Sequence, residues 1–469
     1  MIRLEQHRDC RLLSFQEEHA LRWLVNSGGL SSNVNAAISS ANGIDGHLLL
    51  QCLHAACAKY DALRTRFPEH GQGVFRRFVL PEGECPVEFT ELQRGETIGD
   101  PDVAQEVAVF CNKPFAFGDE NWFRALLIHT TEKSSVVAIS MPHVVSDATS
   151  LRILISGIWQ DYTHLAQGKA LIRKVPRYSL ADFAGSQRAW GETADFEDKL
   201  NQLVEYAANG IAQVRRERPD GHAETVLAVR PSTAVKCRLP DALCIGLERL
   251  AKRTQAGLLA TLVSGAILAK ARLFQRRQLC LRLPFSNRIS AGSDEIAGFL
   301  ANDIPMFLSI DEDQDFLSFI KSVQRSSFSM MRFGAVPWAV LRERLLDLPV
   351  LRSGRNPFED YLINVFPALD NLGTADGLCA QPFPMQISGF TSNDLKVWMQ
   401  TVNGRVILSL RVGIEQKAVA EHHYMPAFLR VFTQMVNHPD DSIGSLLDDA
   451  RPGERPCFAL EARGGMISV

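Results

Sequence analysis

A strand-length apolar run that ends on a histidine and turns at once into a helix sets the frame for this chain. Residues 135–141 form the run, Pro142-His143-Val144-Val145-Ser146-Asp147-Ala148 follows, and Leu151, Leu154, Ile155, Ile158, Tyr162 and Leu165 then recur at helical spacing. A second apolar run, 123–129, predicts a neighbouring strand in the same sheet. His143 therefore leaves the end of a strand, and Asp147 lies at or near a helix N-terminus. Strand ends are where α/β architectures open their ligand crevices. An imidazole is the side chain whose ordinary titration range suits a general base near neutral pH. Asp147 four residues on either caps the helix or orients the loop through a salt bridge.

The rest of the chain reads as mixed α and β. A short helix is expected over 14–24, strands and turns up to Gly46, and then a helix to about Leu63 whose Leu49, Leu53, Ala56, Cys57 and Tyr60 mark a buried face. Strands follow at 64–67 and 74–79, then a polar stretch through Asp100. The segment 168–178, with Pro176, has linker character and divides an N-terminal lobe, 1–177, from a C-terminal lobe, 178–469. The second lobe shows a helical pattern at 178–190, a polar helix at 193–216, two amphipathic helices at 239–254 and 257–272, a strand at 278–284 and an alternating segment at 299–310. Later strands are predicted at 361–366, 395–402 and 406–412, with Val402-Asn403-Gly404-Arg405 as a hairpin turn between the last two. A final helix spans 422–437, with His422 and His423 exposed at its start.

A length of 469 residues, 46% of them hydrophobic, suffices for two ordinary domains or one large two-lobed unit. A net charge of -3 leaves no basic surplus to neutralise a phosphate backbone, which argues against a nucleic-acid partner. The first ten residues lack the apolar core of a signal peptide, and no segment runs uncharged for the length of a membrane span, so a soluble cytoplasmic protein is expected. The 10 cysteines include no Cys-x-x-Cys pair and no histidine stands at metal-ligand spacing. Reduced, buried thiols and no metal site are the expectation.

The motif region resembles the His-His-x-x-x-Asp-Gly core of nonribosomal peptide synthetase condensation domains and their relatives among carrier- and coenzyme-A-dependent acyltransferases. The resemblance extends along the chain. Leu13-Ser14-Phe15-Gln16 with Trp23 resembles the family's opening block, Leu63-Arg64-Thr65-Arg66-Phe67 its Leu-Arg-Thr block, and Lys113-Pro114-Phe115 with Phe123-Arg124-Ala125 the segment before the motif strand. Asn287-Arg288, Gly298-Phe299 and Asn302-Asp303-Ile304-Pro305 are similar to later blocks in the same order, and 432–446 also fits. Two departures stand out: Pro142 replaces the first histidine and Ala148 the glycine.

What the resemblance implies is a free-standing enzyme of two chloramphenicol-acetyltransferase-like lobes, a V-shaped pseudo-dimer with a tunnel between them and His143 at its middle. His143 acts on the acceptor as base, or stabilises the tetrahedral intermediate. Asp147 supports the site, with Arg288 reaching across the lobe interface to pair with it. The donor implied is an acyl thioester on a phosphopantetheine arm, brought by an acyl or peptidyl carrier protein in trans. The acceptor is a small-molecule amine or hydroxyl, the protein a monomer, and no resident cofactor is needed. Asn364, an amide within an apolar run, either faces the tunnel and contacts donor or oxyanion, or bonds neighbouring backbone. Ser146 lies within the motif, but no Gly-x-Ser-x-Gly elbow surrounds it, so a covalent acyl-serine is not expected. Arg215, Arg216 and Arg218 form a basic cluster that meets an acidic carrier or simply faces solvent; Trp338 and Trp398 are read as core. Two rivals stand beside this reading: an acyl-coenzyme-A-dependent O-acyltransferase, and an inactive condensation-like recruitment module.

Overall fold

The computed structural model describes residues 13–26, 33–67, 75–84, 87–115, 119, 121–131, 133–172, 175–217, 230–348, 363–366, 380–383, 385, 389–391, 395–402 and 404–447. From its start the chain forms α1 (Phe15–Asn26), β1 (Asn33–Ser40), α2 (Gly46–Lys59), α3 (Asp61–Arg64), β2 (Thr65–Arg66), β3 (Phe78–Val79), β4 (Glu88–Gln93) and α4 (Pro101–Asn112). Next come β5 (Arg124–His129), β6 (Ser135–Pro142), a 3-10 turn (His143–Val145), α5 (Ala148–Ala166), α6 (Leu180–Gly191) and α7 (Ala194–Arg216). The remainder forms β7 (Arg230–Arg238), α8 (Asp241–Thr254), α9 (Gly257–Phe274), β8 (Gln278–Phe285), β9 (Asn302–Ser309), α10 (Phe316–Met331) and α11 (Trp338–Leu346). It continues through β10 (Ile363–Phe366), β11 (Ala380–Pro382), β12 (Gly389–Thr391), β13 (Lys396–Val402), β14 (Arg405–Gly413) and a last long helix, Met425–Asn437.

These elements gather into two compact units. The first comprises Met1–Asp198, Ser286–Asn302 and Leu369–Ile387; the second comprises Lys199–Phe285, Asp303–Ala368 and Ser388–Val469. A single cut after residue 177 does not separate them. Leu180 and Phe183 of α6 share an apolar cluster with Ala62, Ile296 and Leu300, so α6 and the 286–302 segment belong with the N-terminal residues.

The sheet of the first unit has the order β11-β1-β6-β5-β4, antiparallel apart from the parallel β4–β5 pair. Successive residues of the central strand β6 point to opposite faces and serve two layers. Val137, Ile139 and Met141 share a cluster with Leu49 and Leu53 of α2 and with Leu151, Leu154, Ile155 and Ile158 of α5. Val136 and Ala138 join Val103, Val107 and Cys111 of α4. A strand covered on both faces reads as a continuous apolar run, which is why β5 and β6 stand out in the sequence. β4, by contrast, is an edge strand with partly exposed side chains and falls within the expected polar stretch. Of the second covering layer, α4, the sequence carries only a short signal: Pro101 at the helix start and apolar residues four apart.

The second unit is built on a sheet of order β10-β13-β14-β7-β12. β13 and β14 form a hairpin closed at Val402 and Arg405, with Gly404 at a φ of +71°, a conformation glycine adopts without steric cost. Leu247, Leu250, Leu262 and Ile267 of α8 and α9, with Phe428 and Phe432 of the last helix, enclose one core with Leu408 and Leu410 of β14. Among the described residues α9 is one helix long and apolar enough to cross a membrane, yet 67% of it is buried inside the fold. Within it Lys270 is fully buried and donates to the Leu395 carbonyl at 2.9 Å. Strand β7 and helices α10 and α11 carry no sequence prediction. The six cysteines among the described residues are buried; burial pushes Cys111 up to about 12 and, with the charge of Asp161, Cys52 also to about 12. Neither forms a reactive thiolate near neutral pH.

Candidate active site

The site is assembled at the end of β6. Pro142, the last strand residue, is paired with Asn33 of β1, and its φ of -72° is one that proline adopts without strain. The next three residues form the 3-10 turn, closed by the Ser146 N–H donating to the His143 carbonyl at 3.3 Å. Val144 and Val145 are buried beneath it, and α1 packs against it. α1 is itself tied down by an ion pair between Glu17 and Arg77, both fully buried. Ala148 is the first residue of α5 and is helical, so replacing glycine there imposes no strain. His143 is partly exposed. Its ring lies 4.5 Å from the ring of Phe299 at an interplanar angle of 60°, and its Nδ1 is buried without a hydrogen-bond partner among the described residues.

Asp147 is the N-cap of α5 and the hub of a buried polar cluster. Its carboxylate accepts from the Ser150 N–H at 2.7 Å and from Arg288 Nη1 and Nη2, each at 3.0 Å. It also accepts from the Leu300 and Ala301 N–H groups at 3.1 and 3.0 Å. Ser150 Oγ lies 2.8 Å from Asp147 Oδ1 and 2.5 Å from the Gly298 carbonyl, so its single proton serves one at a time. The same oxygen accepts from the Gly298 N–H at 2.8 Å and from Arg288 Nη2 at 2.9 Å. Burial alone pushes the Asp147 carboxyl up, but the Arg288 charge and the donors around it outweigh burial and hold it below the usual carboxylate range.

The Asn287-Arg288 block has a backbone reason as well. Asn287 sits in the left-handed region at a φ of +55°, which asparagine tolerates better than most residues, and this turn after β8 aims Arg288 at Asp147. Both partners belong to the first unit, so the pair lies inside it and does not reach across an interface. Gly298 is required by packing: a methyl there would fall 2.7 Å from Leu180 Cδ2. Ser150 and Phe299 carry no functional expectation in the sequence; the only trace of the latter is the Gly298-Phe299 block.

Among the described residues, the other candidates do not bond to the Asp147 carboxylate. Ser146 is fully buried, with its Oγ 3.4 Å from the Asp147 carbonyl. Asn364 is half-buried on β10 in the second unit, opposite Trp398 on β13. Trp398 stacks edge-on with Phe366 and lies under Arg411. Trp338 is buried at the start of α11 with Arg282 over its ring. Arg215 and Arg216 end α7, and Arg218 lies outside the described residues. His422 and His423 are exposed in a π-helical turn before the last helix.

A strand-end histidine, an N-capping aspartate and a paired arginine occur in this order within a wider match: the Condensation domain family model covers residues 9–446. The chain belongs to the condensation-domain family. Condensation domains catalyse amide bond formation between substrates bound to carrier proteins. This one is similar to phosphinothricin tripeptide synthetase PhsB of Streptomyces viridochromogenes, 24% identical over 78% of this chain and 30% of that protein. Tyrocidine synthase 2 of Brevibacillus parabrevis is 22% identical over 75% of this chain and 9% of its own length. The chain thus spans less than a third of either relative. Among solved structures, the first condensation domain of the calcium-dependent antibiotic synthetase, in complex with a substrate analogue, matches with a TM-score of 0.76 at 15% identity. That match covers 93% of this chain and 98% of that one. The fold is therefore the condensation-domain fold, an α/β architecture of two units.

Proposed function

We propose that this condensation domain joins an acyl thioester, carried on the phosphopantetheine arm of an acyl or peptidyl carrier protein, to an amine or hydroxyl acceptor. The observation that carries the reading is the placement of His143: partly exposed, at the carboxyl end of the central strand, on a turn fixed by the buried Asp147–Arg288 pair. The acceptor attacks the thioester carbonyl, a C–N or C–O bond forms, the C–S bond breaks, and His143 takes the acceptor's proton. The thiolate is the better leaving group and supplies much of the activation, so the protein mainly positions the reactants and moves that proton. Asp147 and Arg288 do not touch His143; they act as positioning residues. The phosphopantetheine arm enters as part of the substrate.

The test is an acylated carrier mixed with candidate amines and alcohols and followed by intact-protein mass spectrometry. Wild type should discharge the carrier and release acylated acceptor. His143→Ala should lower kcat by about 100-fold or more while leaving the melting temperature nearly unchanged, since a partly exposed imidazole contributes little packing. Parallel loss of fold and activity would make His143 structural. Carrier binding without transfer to any acceptor would favour a recruitment module.

A further inference from the structure

We propose that Phe299 is the positioning residue for His143, and that the Asp147–Ser150–Arg288 cluster orients the imidazole through it. A functional imidazole is commonly oriented by a hydrogen bond at the nitrogen that does not react. Here Nδ1 of His143 is buried and has no such partner among the described residues. The contact that does define the ring is aromatic: Phe299 lies 4.5 Å away at a 60° tilt, an arrangement aromatic pairs favour over face-to-face stacking.

The backbone on both sides of Phe299 is held by the polar cluster. On one side Gly298 donates to Ser150 Oγ at 2.8 Å, and its carbonyl accepts from Arg288 Nη2 at 3.3 Å. On the other, Leu300 and Ala301 donate to Asp147 Oδ2 at 3.1 and 3.0 Å. Leu300 is buried in the cluster with Leu180 and Phe183, whereas Phe299 itself is only partly buried. Its ring is thus spent on His143 and not on the core. One buried aspartate holds the His143 turn from below, by capping α5, and holds the ring that packs on His143 from beside it.

The catalytic consequence rests on the transfer reaction proposed above, but the contact can be read without turnover. In protein labelled with 13C at histidine Cε1, the His143 signal, assigned by its loss in His143→Ala, should show a ring-current shift. That shift should vanish in Phe299→Ala and Phe299→Leu and persist in Phe299→Tyr. In turnover, Phe299→Ala and Phe299→Leu should lower kcat roughly tenfold or more, with KM for both substrates changed less than about twofold, and Phe299→Tyr should recover most of the rate. Melting temperatures should stay close to wild type throughout. An unshifted His143 signal in wild type, or Phe299→Leu turning over like wild type, would overturn the proposal. So would a rise in KM with kcat retained, which would make Phe299 a substrate wall. If wild type transfers no acyl group, the transfer reading fails, and the His143 signal alone decides whether Phe299 orients the ring.

Discussion

A carboxylate buried as deeply as Asp147 stays ionised only where donors replace water, and here two guanidinium N–H groups and three backbone N–H groups do so. Asp147 and Arg288 are each at most 4% exposed at the side chain. Removing either partner leaves the other charge buried and uncompensated, which costs about 3–5 kcal/mol. Arg288→Ala and Asp147→Asn should therefore each lower both stability and rate, and the double variant should lose less than the sum of the two in urea unfolding. Strict additivity would mean that the pair is not coupled. Acid dependence follows from the sign of the shift. Because the folded carboxyl titrates below its ordinary value of 3.8, its contribution is fully present above that pH and is lost as pH falls through the folded value. The stability gap between wild type and Asp147→Asn should stay level from neutral pH down to about 4 and narrow only below it.

Elements here are recognised in the sequence in proportion to how completely they are covered. β6 is buried along its whole length and stands out as a continuous apolar run, whereas α9, whose spacing reads as amphipathic, is in fact buried nearly all round from Ala260 to Ala271. β4 at the sheet edge is partly wet, so its pattern dissolves into its surroundings. The packing of α9 against the last helix depends on a missing side chain. A Cβ at Gly265 would fall 2.2 Å from Phe432 Cε1, and Phe432 is itself fully buried. Gly265→Ala should gain about 1 kcal/mol of helix propensity and lose more through overpacking, for a net destabilisation of about 1–2 kcal/mol by denaturant unfolding. A stabilised variant would show that the Phe432 ring gives way freely.

For the molecule as a whole, two compact units are interleaved in sequence. The first takes Arg288, the partner of the α5 N-cap Asp147, from a segment that follows β8 of the second. A substrate delivered on a carrier brings binding energy from far outside the reacting atoms, and such energy raises kcat only when it is used at the reacting centre. Turnover with the acyl carrier should accordingly exceed that with the matching acyl-coenzyme A by roughly tenfold or more, measured under saturating acceptor. Comparable rates would identify a free-thioester acyltransferase instead.

Local pattern was enough, by itself, to mark the strand that ends just before His143, the helix capped by Asp147, most of the long helices and the β13–β14 hairpin. Each is declared by the spacing of apolar residues or by turn chemistry within a few positions. Tertiary structure alone decided what those faces meet. The Asp147–Arg288 pair, 141 residues apart, is expected from the family resemblance and not from local pattern, whereas the Phe299 ring beside His143, with Leu300 and Ala301 bonded to the buried carboxylate, is seen only in the tertiary structure. Tertiary contacts likewise assign α6 and the 286–302 segment to the first unit. Periodicity reports that a face is buried, and its partner is chosen by distant residues that bury and bond the most when the whole chain has closed.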